Sequence, residues 1–131
     1  MPRFRGYVFS RFFLSERAPQ HVQNIVIREY CRANNFEYLL SATEYSIDDC
    51  YVILENLLQS LEEIQGVVFY SLYQLPSDEI NRKRIYDKFL SSNKEMHFAL
   101  ENYKITMYEH CEKIENIFEV QNTLDKTLKL N

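Results

Sequence analysis

Two glycines, three prolines and no tryptophan in 131 residues exclude a loop-rich or low-complexity chain. Gly6 and Gly66 stand far apart. Dinucleotide and phosphate-loop motifs need closely spaced glycines, so neither motif is present and no cofactor is expected. Cys31, Cys50 and Cys111 are odd in number and scattered, as are the three histidines. They imply neither a disulfide framework nor a metal site, and they suit a reducing compartment. No apolar run approaches the length of a membrane span, and no apolar signal region follows the basic Met1-Pro2-Arg3-Phe4-Arg5. The expectation is a cytoplasmic protein with no membrane partner.

The formal net charge is −4, which disfavours a nucleic-acid partner for the whole chain. The charge is uneven. Residues 1–35 carry six arginines against Glu16 and Glu29, so the rest of the chain is strongly acidic. A small anionic ligand near the amino-terminal segment fits this distribution better than a DNA backbone does. Ten Tyr and nine Phe mean that rings line much of the core.

The apolar pattern alternates short runs with helical stripes. Strands are expected near 6–9, 36–42, 67–71 and 96–100. The first helix follows Pro19 and runs to Arg32, where Asn34-Asn35 stops it. The second follows a weak capping box at Ser46 and Asp49, its stripe running from Cys50 through Ile53, Leu54, Leu57, Leu58 and Leu61 to Ile64. The third starts at Ser77 and ends at Leu90, and a long fourth covers 103–128. The βαβαβαβα order predicts a single three-layer α/β domain over 1–131, with an open sheet of about four parallel strands.

In such a sheet, ligands bind outside the carboxyl ends of the strands. Those ends supply Ser10, Arg11, Arg17, Gln20 and His21, then Ser41, Thr43 and Glu44, then Ser71 and Gln74, and finally Glu101. This polar, hydroxyl-rich set suits a sugar or a phosphate-bearing ligand. Arg11 and Arg17 flank a helix start whose N–H groups favour an anion, although either arginine is equally compatible with solvation or pairing to Glu16 or Glu44. The candidates for proton transfer are His21 and Glu44. Ser10 is a candidate nucleophile without a base beside it in sequence. His97, between Met96 and Phe98 in a strand, reads as a packed or edge histidine, and the cysteines as small apolar residues.

Along residues 4–125 the pattern resembles the catalytic domain of serine recombinases, with a Gly6-Tyr7 first strand ending at Ser10 and a long final helix. That resemblance implies a resolvase-like fold and a dimer. It does not imply recombination. The family's Tyr-x-Arg-x-Ser motif is represented by Tyr7-Val8-Phe9-Ser10, one residue short and without arginine, and its Asp-Arg-Leu-x-Arg motif by Tyr73-Gln74-Leu75-Pro76-Ser77, matched only at Leu75. Arginines that neutralise phosphate during serine attack are absent from both.

A closer resemblance rests on Arg5 to Arg11, Glu16-Arg17, Pro19 to Asn24, Leu39 to Tyr45, Val68 to Pro76 and His97 to Glu101. These blocks are similar to the sporadic carbohydrate cluster proteins, found among bacterial genes for surface-carbohydrate biosynthesis. The resemblance implies a pathway and leaves the reaction open. The final helix adds an expectation of its own. Tyr108, Cys111, Ile114, Ile117 or Phe118, Leu124 and Leu128 recur every three or four residues, with Gln121 interrupting, and predict a homodimer built on that helix.

Overall fold

The structure, a computed structural model, describes residues 1–10 and 18–130, with side chains to residue 124. Five strands form one sheet in the order β2-β1-β3-β4-β5: β1 (Arg3–Val8), β2 (Glu37–Thr43), β3 (Gly66–Phe69), β4 (Glu95–Phe98) and β5 (Tyr103–Ile105). The first four run parallel, as the alternating pattern predicts, and β5 is antiparallel to β4. Helix α1 (Gln20–Ala33) covers one face through Ile27 and Cys31, which lie on Phe4, Val8 and Val68. Helices α2 (Val52–Leu58), α3 (Glu79–Ser91) and α4 (Tyr108–Leu130) cover the other, where Leu54, Ile85, Phe89 and Ile114 enclose Tyr7, Phe69 and Phe98. The result is the expected three-layer α/β arrangement.

The left-handed helix stop expected at Asn34-Asn35 is present, with Asn35 at φ 59°. Three expectations need correction. The fourth helix begins at Tyr108 rather than at residue 103, because Asn102, at φ 51°, turns the chain back and pairs Ile105 with Met96. The sheet therefore has a fifth strand. The second helix starts at Val52 and ends at Leu58, so Ser46 and Asp49 do not cap it. Past Leu58 the bonds shorten to i,i+3 and a 3₁₀ turn at Leu61–Glu63 follows, yet Leu61 and Ile64 are buried as their stripe requires. Helix α3 starts at Glu79, two residues after the Ser77 start expected, with Asp78 as its cap accepting from the Asn81 N–H.

Between Arg5 and Tyr7 the register against β2 slips from Leu39 to Ala42, so Gly6 faces both Leu40 and Ser41. This is a bulge in β2. A Cβ on Gly6 would lie 2.1 Å from Ser41 Oγ, so the bulge and the glycine require each other.

The apolar stripe of α4 divides along its length. Cys111, Ile114 and Phe118 complete the core, Ile117 is half-buried, and Val120 and Leu124 are exposed. Leu128 lies outside the described side chains. At 1.5 Å per residue, α4 is about 35 Å long.

Candidate functional site

Ser10, Glu44, Ser71 and Glu101 each follow the carboxyl end of a parallel strand, and topology gathers them at one edge. Most of the polar groups there hold backbone. Glu44 is 2 % exposed and accepts from Tyr7 Oη at 2.8 Å and from the N–H groups of Tyr45, Ile53 and Leu54 at 3.1 to 3.2 Å. Its carboxylate caps α2 from ten residues away, replacing the local cap that the sequence lacks. Replacing Glu44 with Gln puts an amide donor against those N–H groups. The expected loss is about 1–3 kcal/mol of stability, read as a lower urea midpoint.

Gln74 and Gln23 are fully buried and bonded to each other, Gln74 Nε2 donating to Gln23 Oε1 at 2.9 Å. Gln23 also takes the Phe9 N–H at 3.0 Å and donates to the Phe9 and Ala18 carbonyls at 2.7 Å. Gln74 Oε1 accepts from the Tyr70 N–H at 3.0 Å. This amide bridge ties the end of β1 to the end of β3. Gln23 was not among the site residues expected from sequence. Its one signal is the spacing Gln23, Ile27, Cys31, which puts a polar residue on the buried face of α1. Ser71 Oγ donates to Glu101 Oε2 at 2.7 Å, and the Leu72 N–H to Oε1 at 2.9 Å, which fixes the turn after β3.

The remaining candidates lie nearer the surface. Ser41 Oγ is 2.7 Å from Tyr38 Oη, which donates to Asn24 Oδ1 at 3.2 Å. Thr43 is exposed at the end of β2. Ser10 is half-buried, and Gln20 and His21 are exposed in the first turn of α1. Pro19, the N-cap, offers no side-chain acceptor, and that turn contains no acidic residue. Arg11 and Arg17 lie outside the described residues. The structure thus separates an outer set, Ser10, Gln20, His21 and Thr43, from an inner set committed to the fold.

His97 is the packed histidine expected, 2 % exposed within β4. Burial holds its imidazole below the ordinary histidine range, with Glu95 opposing. Burial also pushes the Cys31 and Cys111 thiols up to about 11, which makes them poor nucleophiles. Among the described residues, no group of three His, Cys, Asp or Glu side chains is placed to hold a metal ion, and no helix is long and apolar enough to cross a membrane. A groove of about 450 Å³ lies between α3 and α4, lined by Glu79, Lys83, Tyr86, Tyr108 and Cys111 and by none of the site residues expected from sequence.

No protein-family model matches the sequence, and no curated protein is similar to it. The carbohydrate-cluster resemblance therefore stands on its quoted blocks alone. Two solved structures are similar over nearly the whole chain. One is the N-terminal catalytic domain of TP901-1 integrase, at 12 % identity and a TM-score of 0.64, covering 95 % of this chain and 98 % of that one. The other is a resolvase family site-specific recombinase from Streptococcus pneumoniae, at 6 % identity and a TM-score of 0.65, covering 97 % and 93 %. At such identities the likeness concerns the backbone, and it shows that this chain has a resolvase-like α/β fold with a long carboxyl-terminal helix.

Proposed function

We propose that this chain is a binding protein of bacterial surface-carbohydrate biosynthesis, which holds an anionic sugar, a sugar phosphate or nucleotide sugar, at the carboxyl edge of a resolvase-like sheet. The observation that carries this reading is the start of α1. A 14-residue helix opens there on Pro19, without a side-chain cap or an acidic residue, and presents Gln20 and His21 to solvent. Such a helix end favours an anion, and the sequence puts Arg11 and Arg17 just before it. The carbohydrate assignment draws on the resemblance described above.

Binding without recombination is the coherent reading of the inner set. Glu44 has both oxygens occupied by donors, so it is a poor general base. His21 remains the side chain able to move a proton at the exposed rim, and no arginine stands at the recombinase motif positions between Tyr7 and Ser10 or in Tyr73-Gln74-Leu75-Pro76-Ser77. Calorimetric titration with glucose, glucose 1-phosphate and UDP-glucose tests the ligand class. The two phosphorylated ligands are expected to bind and free glucose not to bind. Arg11→Ala with Arg17→Ala is expected to weaken binding by tenfold or more. No heat from either phosphorylated ligand, or a Ser10-dependent covalent adduct on supercoiled DNA, would sink the proposal.

A second reading, a non-catalytic interaction homodimer, is favoured by Val120 and Leu124, which are exposed on the half of α4 beyond its own core. Sedimentation at micromolar concentration is expected to show a dimer. Ile117→Glu with Leu124→Glu is expected to give a monomer, or unfolded protein if Ile117, which packs against the core, is needed there. A wild-type chain that stays monomeric at high concentration rules out this reading.

A further inference from the structure

At the opposite edge of the sheet from Glu44, three side chains from two elements form a polar line, with His97 buried between the half-buried Tyr30 and Glu95. Tyr30 Oη of α1 lies 2.6 Å from His97 Nδ1, and His97 Nε2 lies 2.8 Å from Glu95 Oε1. Gln65 Nε2 donates to the second oxygen of Glu95 at 3.2 Å, which orients the carboxylate. The rings of Phe4 and Phe36 meet the imidazole edge-on at 4.9 and 5.2 Å. A carboxylate accepts only, so Nε2 carries the proton, Nδ1 is the bare acceptor, and Tyr30 donates to it. No other hydrogen bond of the Tyr30 hydroxyl is present among the described residues.

The groups facing His97 are few. From α1 comes Tyr30, whose hydroxyl burial pushes up to about 12, with Cys31, raised to about 11, acting on Tyr30. Both are neutral. From β4 comes Glu95, which favours a charged ring. From β5 comes Lys104, the cross-strand neighbour of His97, which opposes one. From β1 and the segment before β2 come only the two phenyl rings. A second proton on the imidazole would sit on Nδ1 and point at the Tyr30 oxygen. Tyr30 would have to turn its own proton away from its only partner here, and the ring would carry charge between two phenylalanines.

We propose that Tyr30, His97 and Glu95 form a proton-sensitive latch, which fastens the carboxyl-terminal half of α1 to the sheet at neutral pH and releases it in mild acid. The geometry gives the latch its reach. α1 is the helix that covers this face, and it crosses the sheet from Gln23 at the carboxyl edge to Tyr30 at the amino edge. The sign follows from the direction of the shift. A histidine held below its ordinary value when the latch is closed binds its proton more readily when the latch is open. Closure is therefore fully favoured above the open-state value near 6.5, and the advantage falls as pH drops below it.

The test is nitrogen-15 NMR of the imidazole together with native-state hydrogen exchange over Ile27 to Ala33, using the full chain. At pH 7.5 His97 is expected as the neutral Nε2–H tautomer. Protection factors over that segment, corrected for intrinsic exchange, should fall by up to about fivefold from pH 6.5 to pH 5.5. His97→Gln should flatten this dependence. If that variant does not fold, Tyr30→Phe, which removes the hydroxyl but keeps the buried ring, should lower protection over Ile27 to Ala33 already at pH 7.5 and leave its fall in acid in place. A cationic His97 at pH 7.5, an unchanged pH dependence in His97→Gln, or unchanged protection at pH 7.5 in Tyr30→Phe would overturn the proposal.

Discussion

Replacing Arg82 with alanine is expected to destabilise the domain by about 3–5 kcal/mol, the scale for breaking one side of a buried ion pair. Arg82 is 3 % exposed on the inner side of α3. Its Nε and Nη2 donate to the two Glu115 oxygens of α4 at 2.8 and 2.7 Å, and its Nη1 donates to the carbonyls of Pro76 and Ser77 at 3.1 and 2.7 Å. The guanidinium also lies 4.0 Å over the Phe118 ring. Truncation leaves the carboxylate, among the described residues, with the Tyr86 hydroxyl at 2.7 Å and the charge of Lys83, and leaves two carbonyls without this donor. Burial works against the charge on Glu115, and the hydrogen bonds from Arg82 and Tyr86 outweigh it, holding the carboxyl below its ordinary range. The control is Arg82→Met with Glu115→Leu, which removes both charges and should recover most of the loss. Urea unfolding reads both. A single-variant cost below about 1 kcal/mol would mean that the pair is not desolvated.

Gly66→Ala is expected to cost a comparable amount, about 3 kcal/mol or more, with little folded protein recovered. The reason is space rather than conformation, since no glycine here has a positive φ. A Cβ on Gly66 would lie 2.1 Å from the Glu95 carbonyl oxygen and 2.9 Å from Phe4 Cε1. Gly66 is paired with Phe4 on one side and Glu95 on the other, and the Glu95 N–H is bonded to the Gln65 carbonyl at 3.0 Å. That carbonyl is main chain inside the sheet and cannot swing aside. Gly6→Ala offers the contrast, because its clash is chiefly with the Ser41 hydroxyl. Adding Ser41→Gly should restore much of the Gly6→Ala loss, whereas no side-chain change should rescue Gly66→Ala. Circular dichroism melts of the four proteins check this ranking.

The parallel strands were legible because a covered strand such as Val67-Val68-Phe69 is continuously apolar, and the helices between them because their stripes repeat at helical spacing. What escaped depended on partners distant in sequence. Tyr103-Lys104-Ile105 is three residues long, and only its pairing with β4 makes it a strand. Val52 opens α2 because Glu44 reaches its N–H groups across the chain, which no local capping rule can show. The site was legible as a place and less so as a set of roles. Strand order alone puts Ser10, Glu44, Ser71 and Glu101 at one edge. Whether a carboxylate there faces solvent or caps a helix depends on side-chain direction in three dimensions, and Glu44 caps one. Arg82 was missed although it shares the helical spacing of Ile85, Tyr86 and Phe89, because a cation on an apolar stripe identifies itself only once Glu115, 33 residues on, is seen beside it.

The bulge opposite Gly6 has a bearing on how the protein behaves in a crowded solution. β2 is an outer rim of the sheet, where a row of open main-chain groups would invite a strand from another molecule. The extra residue at Leu40-Ser41 breaks the regular spacing of that row, and the Arg5 guanidinium occupies the Leu40 carbonyl at 2.8 Å. The other rim, β5, is only three residues long. Neither margin offers a uniform ladder to a stranger, so the sheet resists growing into a fibril by edge addition.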